Sequence, residues 1–317
     1  MSTIEHDVLI AGSGLAGLIA ACRLIEGGCN NIGIVSAGYG GTPYIAAFNA
    51  VIDNSRYGDN PAWYCEDMLK AGYQLGDKTL VEAFGKYTFN CVKLLERWGV
   101  EFSRNEDGHY ALRHTSGSRC PRSLCRKDML IGEHIRETLM RGLTEKNVSF
   151  YKEFSCIELL ANRDGISGFT ALKKGESVPA VFYAPNVICA WGGIGNLFAE
   201  STYPADIDGR FLAMAYNTGV SLVDIEFVEF EPLVCLDPPG ARGEPCPTAM
   251  LGEGAYLLNN RGERFLLKIR PQGEAGAAKS LINQAIFEEV KNGRGSVHGG
   301  VFVDLRHIDP AILKSYP

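Results

Sequence analysis

Six residues, Gly12-Ser13-Gly14-Leu15-Ala16-Gly17, carry a G-x-G-x-x-G spacing suited to holding a diphosphate. Gly12 permits a tight turn, Gly14 lets the backbone approach the pyrophosphate, and Gly17 allows a helix to pack closely on a strand. The helix that begins there offers unpaired N–H groups to the anion. The spacing alone is a weak signal, because glycine-rich turns are common; its setting makes it strong. Asp7–Ala11 (Asp-Val-Leu-Ile-Ala) is a short apolar run that reads as a buried parallel strand. Leu18–Ile25 is apolar enough for a helix on a sheet, Gly27-Gly28 ends it, and Asn31–Val35 is a second strand. Strand, turn, helix and strand in this order form a βαβ unit.

An acidic residue about 20 positions beyond such a motif usually holds the ribose hydroxyls. Here the second strand ends in Ser36, whose hydroxyl makes a weaker bond. Binding then leans on contacts along the rest of the cofactor, which favours FAD over a freely exchanging nicotinamide. Other groups with chemical potential are scattered. The ten cysteines show no C-x-x-C pair, so they read as reduced, mostly buried thiols. Cys120 and Cys125, flanked by arginines, are the two candidates for thiolate character. The six histidines show no H-x-x-x-H spacing, so a metal site is not expected.

The elements that must position these residues follow from periodicity. Trp63–Trp98 is helical with a break near Gly76-Asp77, Arg104–Arg126 is irregular, and Leu130–Leu143 is a helix. Ser149–Leu160, Gly168–Leu172 and Val187–Ala190 read as strands, and Gly209–Thr218 as a helix. From Glu231 the texture turns Pro-rich, with a hairpin over Ala255–Leu266, a helix over Ala278–Lys291 and a strand over Val301–Leu305. The expected fold class is α/β: a Rossmann-like dinucleotide-binding domain over residues 1–232, then a smaller α+β domain over 233–317. Of 317 residues, 37 are glycine, about 12% against a usual ~7%, which points to many turns and close backbone approaches. The net charge of −6 provides no basic field for nucleic acid. No apolar run approaches the ~20 residues of a membrane span, and no secretory leader is evident. A soluble, cytoplasmic protein is expected.

Four ordered segments resemble the flavoprotein subunits of fumarate reductase, succinate dehydrogenase and L-aspartate oxidase. They are Asp7–Gly17 with Val35-Ser36; Cys189-Ala-Trp-Gly-Gly-Ile-Gly195; Asp224-Ile-Glu-Phe-Val-Glu-Phe-Glu-Pro232; and Gly252-Glu-Gly-Ala-Tyr-Leu-Leu-Asn-Asn-Arg-Gly-Glu-Arg-Phe265. Gly293-Arg-Gly295 and Asp304-Leu-Arg-His-Ile308 extend the likeness nearly to the end of the chain. The resemblance implies FAD on the first domain and a capping domain over its ring system. It places the cofactor on Gly12, Ser13, Gly14, Leu15, Ala16, Gly17, Ser36, Ala37, Gly41, Thr42, Tyr44, Ala46, Ser155, Cys156, Ala190, Trp191, Gly192 and Gly193. Relatives that link FAD covalently use a histidine where Tyr44 stands, so non-covalent FAD is expected. Because the chain ends about where capping ends in the family, a second polypeptide is expected to complete the flavin site or exchange electrons.

Departures from the family pattern bear on the substrate. The histidine before the proline is Glu231, a Thr-Glu pair is Pro247-Thr248, an arginine is Leu251, and the proton-donating arginine is Lys279. A dianion needs cationic, bidentate donors, and these exchanges remove positive charge and add negative. A substrate other than fumarate is expected, with Glu231, Lys279 and Thr248 as catalytic candidates and Lys279 as a general acid if burial lowers its pKa. The competing reading of Glu231 and Lys279 is a structural ion pair. Trp191 puts an indole where the family has a small hydroxyl, and Asp208-Gly209-Arg210-Phe211 lacks an aspartate common near the flavin, so the flavin site is read as remodelled. The reading is an FAD-dependent oxidoreductase subunit passing hydride or electrons to or from a small substrate. The alternatives are L-aspartate-oxidase-like amine oxidation and an electron-transfer subunit without its own substrate.

Overall fold

The computed structural model describes residues 2–52, 56–114, 117–163, 165–246 and 248–314. In chain order, β1 (Thr3–Glu5), β2 (Val8–Ala11), α1 (Leu15–Glu26) and β3 (Ile32–Ser36) open the chain. They are followed by β4 (Ala47–Asn49), α2 (Pro61–Ala71), α3 (Lys78–Arg97), β5 (Ser123–Cys125) and α4 (Ile131–Glu145). Next come β6 (Ser149–Lys152), β7 (Phe154–Asn162), β8 (Gly165–Lys173), β9 (Ala180–Tyr183), β10 (Asn186–Cys189) and α5 (Arg210–Asn217). Short α6 (Ala249–Gly252), β11 (Tyr256–Leu258), α7 (Lys279–Lys291), β12 (Phe302–Asp304) and short α8 (Pro310–Leu313) complete the order.

Two compact units emerge, each assembled from separated stretches. The first holds residues 1–46, 97–101 and 130–227; the second holds 47–96, 102–129 and 228–317. The linear division at 232/233 therefore needs correcting. Within this unit β4 pairs antiparallel with β5, Ala50 N–H donates to Arg122 O at 3.0 Å, and Tyr73 Oη lies 2.9 Å from Ser280 Oγ in the C-terminal stretch.

The first unit is the α/β layer that the sequence predicts. Strands β10, β2, β3 and β6 form a parallel sheet in that order, with Val8–Ala11 flanked by Asn186–Cys189 and Ile32–Val35. All four residues of β2 and all five of β3 are buried, which explains their unbroken apolar texture. Helix α1 turns Gly17, Leu18 and Ala21 inward, and Gly27 closes it. The stretch expected as one strand over Ser149–Leu160 is two. Glu153 adopts φ 63°, and this left-handed residue turns the chain out of the parallel sheet into a second one ordered β1-β9-β8-β7. Leu9, Val35, Phe169, Phe182 and Met214 share a core there, with Phe169 stacked on Phe182 at 5.5 Å.

In the second unit, the break between α2 and α3 is built by Tyr73 and Gln74, both at positive φ, and by Asp77, whose Oδ1 accepts Thr79 N–H at 2.8 Å. The predicted hairpin over Ala255–Leu266 is not what forms. Leu258 and Arg264 make a single bridge, after which Phe265 and Leu266 turn into the core. The partner of β11 is β12, in antiparallel register from Tyr256–Asp304 to Leu258–Phe302.

Candidate functional site

The site begins at the carboxyl end of the parallel sheet, where β2 runs into Gly12. Gly12 takes φ 117°, and a Cβ there would lie 2.3 Å from Ala190 O, so only glycine fits. A Cβ on Gly17 would lie 2.0 Å from Gly12 O, so the second glycine contact is equally strict. Together they press the turn and the first turn of α1 against β2 and β10. No acidic residue sits in that first turn. The Leu15 amide donates to Thr42 Oγ1 at 2.8 Å, and the Ala16 amide has no partner among the described residues.

These groups open onto a cavity of ≈ 710 Å³ lying wholly within the first unit. That volume is toward the upper end of the roughly 300–1,000 Å³ range of ligand sites. Its lining brings together Gly12, Ser13, Gly14, Leu15, Ala16, Ser36, Ala37, Gly41, Thr42, Ser155, Cys156, Ala190, Trp191, Gly192 and Gly193. Three other expected positions fall outside it: Gly17 is packed beneath the turn, and Tyr44 and Ala46 do not line the cavity. The Tyr44 side chain is exposed. Trp191 is held edge-on against Phe211 at 5.0 Å and Phe169 at 6.2 Å, so the indole forms a wall of the cavity.

Sequence reasoning missed part of the lining, Asp208–Phe211 excepted. Gly38, Gly40, Phe154, Cys189 and the run Ala205–Leu212 also line the cavity. The glycines clustered after β3 were the available signal, since close backbone approach is their common use. Arg210, in the run Ala205–Leu212, donates through Nε to Asp208 Oδ2 at 3.0 Å. Cys156 and Cys189 are both lining residues, and burial pushes the Cys156 thiol up. Burial likewise raises Cys120 and Cys125 above their ordinary value, even with arginines nearby, which overturns the expected thiolate character.

The catalytic candidates lie in the second unit. Lys279 Nζ donates to Glu231 Oε2 at 3.0 Å and lies 3.4 Å from Glu229 Oε1. Burial alone would lower the lysine pKa, but the charge and hydrogen bonds of Glu231 and Glu229 outweigh it and the net direction is upward. A lysine tuned down toward neutrality is thus not what the structure holds. Thr248 precedes α6, with its carbonyl accepting Leu251 N–H at 3.0 Å, and makes no hydrogen bond to Glu231 or Lys279 among the described residues. Pro247 lies outside the described residues. Leu251, at a family arginine position, is a core residue of this unit. His307 stacks on Tyr256 at 3.9 Å and contacts Gly254 O through Nε2 at 2.8 Å.

A parallel sheet with a glycine turn at its carboxyl end, a helix N-terminus beside it and a cavity lined by both defines a dinucleotide-binding α/β protein. Residues 7–316 match the FAD binding domain family, and the chain belongs to it. FAD is its cofactor, and the glycine turn, free amide and cavity fit that group. The chain is 31% identical over 321 residues to one subunit of the fumarate reductase (CoM/CoB) of Methanothermobacter marburgensis, covering 98% of this chain and 57% of that protein. It is 30% identical to the succinate dehydrogenase flavoprotein subunit of Rickettsia bellii, covering 98% of this chain and 53% of that one. The chain thus spans about half the length of these curated relatives. Among solved structures, it matches a variant of E. coli quinol fumarate reductase FrdA with a TM-score of 0.89 at 26% identity, over 100% of this chain and 56% of that one. No described helix is long and apolar enough to cross a membrane.

Proposed function

We propose that this protein is an FAD-dependent oxidoreductase subunit that holds its cofactor without a covalent link and exchanges hydride or electrons with a small substrate other than fumarate. The observation that carries this reading is the Gly12–Gly17 turn opening onto the ≈ 710 Å³ cavity walled by Trp191-Gly192-Gly193. When bound, FAD supplies the two-electron chemistry. The protein's own residues bind and orient it: the Ala16 amide at the start of α1 faces the diphosphate, and Trp191 and Phe211 give an apolar wall that excludes water. Tyr44, at the position of the linking histidine in some relatives, has no imidazole to form that bond.

The substrate reading rests on charge. Lys279 faces two carboxylates, so Glu229, Glu231 and Lys279 carry a net negative charge. A dianion meets repulsion there, whereas a neutral polar or cationic group does not. The same pairing favours a second reading, an electron-transfer subunit without its own substrate, because Lys279 is engaged rather than poised to give a proton. The relatives named above are subunits, which supports a second polypeptide as electron partner. The ten unpaired cysteines support a reducing, cytoplasmic setting.

Acid precipitation of the purified protein tests the link: yellow supernatant supports non-covalent FAD, and flavin retained in the pellet refutes it. Anaerobic mixing with candidate substrates tests the chemistry. Flavin bleaching by a neutral or cationic small molecule supports the enzyme reading, and bleaching only by a protein partner supports the carrier. Efficient turnover of fumarate or succinate overturns the substrate reading.

A further inference from the structure

The strand-end acid that dinucleotide folds use for the adenosine ribose is absent from β3, and Ser36 brings no charge to replace it. Ser36 is buried, and its Oγ accepts the Ser13 hydroxyl at 2.9 Å, so it offers the ribose a single neutral hydroxyl where a carboxylate would accept two bonds. A carboxylate nevertheless stands beside the chain that leaves this strand. Asp206, in the loop before α5, accepts Gly40 N–H through Oδ2 at 3.0 Å. It lies so close to Gly38 that a Cβ there would be 2.3 Å from the same oxygen, so glycine at 38 is what admits it. Asp206, Gly38, Gly40 and Ser36 all line the cavity. Asp206 Oδ1 has no hydrogen-bond partner among the described residues.

We propose that Asp206 is the ribose-binding carboxylate of this protein, supplied from the loop before α5 because β3 does not provide one. Ribose lies between the glycine turn and the end of the second strand in this fold, and Gly38 and Gly40 follow that strand directly. A carboxylate there repels phosphate and accepts hydroxyl protons, so it faces the sugar of the adenosine half. It also rejects a nucleotide carrying a phosphate on that ribose. The proposal rests on the assignment of the cavity to FAD.

The test is calorimetric titration of FAD-stripped full-length protein with ADP, 2′-deoxy-ADP and 3′-deoxy-ADP, for wild type, D206A and D206N. Wild type is expected to prefer ADP over at least one deoxy analogue by on the order of ten- to a hundredfold, the scale of a hydrogen bond to a charged group. D206A is expected to bind ADP and that analogue alike. D206N, which keeps an oxygen for the Gly40 amide, is expected to retain the wild-type melting temperature and lose most of the preference. If both variants keep the preference, or if D206A weakens all three ligands equally while D206N weakens none, the ribose role is overturned and Asp206 only shapes the loop. A wild-type protein that binds neither FAD nor ADP overturns the cavity assignment along with it.

Discussion

Thr42 Oγ1 accepts the backbone amide of Leu15 at 2.8 Å, so the loop that follows β3 caps the helix that follows β2. The cap has consequences for both stability and ligand. One of the first-turn donors of α1 is satisfied from outside the helix, and the loop carrying Gly38–Thr42 is fixed along the cavity edge. Thr42→Val removes the acceptor and keeps the shape. We expect it to cost about 1 kcal/mol, the usual worth of a helix cap, and to weaken FAD retention; Thr42→Ser retains both. Thermal melts with and without added FAD check the pair of effects.

Gly132, inside α4, sits against the same loop from the other side. Its amide donates to Ile45 O at 2.9 Å, and a Cβ at 132 would meet Thr42 O at 1.9 Å. Backbone cannot yield as a flexible side chain does. Gly132→Ala is expected to destabilise by roughly 1–3 kcal/mol, the range for overpacking, although alanine is the better helix former. Denaturant unfolding is the measurement. The mutant's FAD titration should show weaker binding, because the displaced residue is the one that caps α1.

The glycine turn and its flanking strands were legible because each of their constraints is local: a buried run, a φ that only glycine accepts, a helix start. Ser155, Cys156 and Ala190–Gly193 were legible only through the resemblance, and Gly38, Gly40 and Asp206 were not legible at all. Asp206 reaches Gly38 and Gly40 from more than 160 positions away in the chain, a pairing no local pattern records. Glu153 shows a related limit: one residue at positive φ splits an apparently continuous strand between two sheets. The hairpin over Ala255–Leu266 failed because β11 finds its partner in β12, some 40 residues on, rather than in its neighbour. Domain organisation was hidden for the same reason, since contacts made by 47–96 and 102–129 decide it and periodicity does not.

Lys279 gives a prediction at the alkaline end. Its folded pKa is raised by Glu231 and Glu229 despite burial. A raised lysine contributes stability that is complete below its unfolded pKa of about 10.4 and lost as pH rises through the folded value. The melting temperature of wild type should therefore fall above about pH 10, and that of Lys279→Met should fall less steeply over the same range. At neutral pH the substitution is expected to cost about 1–2 kcal/mol. That lies between the ~0–1 of an exposed pair and the ~3–5 of a broken buried one, as suits a half-buried lysine. Melting curves from pH 7 to 11 settle the slope.

The thiols should react in an order set by burial rather than by neighbouring arginines. Cys156, Cys120 and Cys125 are buried, and burial is the first cause of their raised pKa values. Cys22 is pushed up to about 11 by the same cause, with Glu26 adding to it. Cys91 is exposed on α3. Because the thiolate is the nucleophile, iodoacetamide near pH 7.5 should label Cys91 well before Cys120, Cys125 or Cys156. Mass spectrometry of timed samples reads the order, and denaturation should abolish it.

Glu289 governs the acid side of the second unit. Arg294 bonds it through Nε and Nη2, each at 2.8 Å, and Asn259 Nδ2 donates at 2.8 Å. The hydrogen bond from Arg294 is the largest cause of a pKa lowered to about 2, working against burial and aided by Asn259 and the Arg294 charge. A depressed carboxylate contributes stability above its unfolded pKa of about 4.3 and loses it as pH falls toward the folded value. Unfolding free energy should thus decline between about pH 4.5 and pH 2, and Glu289→Gln should flatten that decline. At pH 7 the glutamine variant is expected to lose roughly 1.5–3 kcal/mol, the worth of hydrogen bonds to a charged group. Arg294 is partly exposed, so water can solvate the guanidinium once its partner is neutral, which keeps the cost below that of a fully buried orphan charge. Urea titrations at pH 7 and pH 3 provide the comparison: the difference between wild type and variant should shrink at the lower pH, and an unchanged difference would show that the carboxylate charge is not what stabilises this junction.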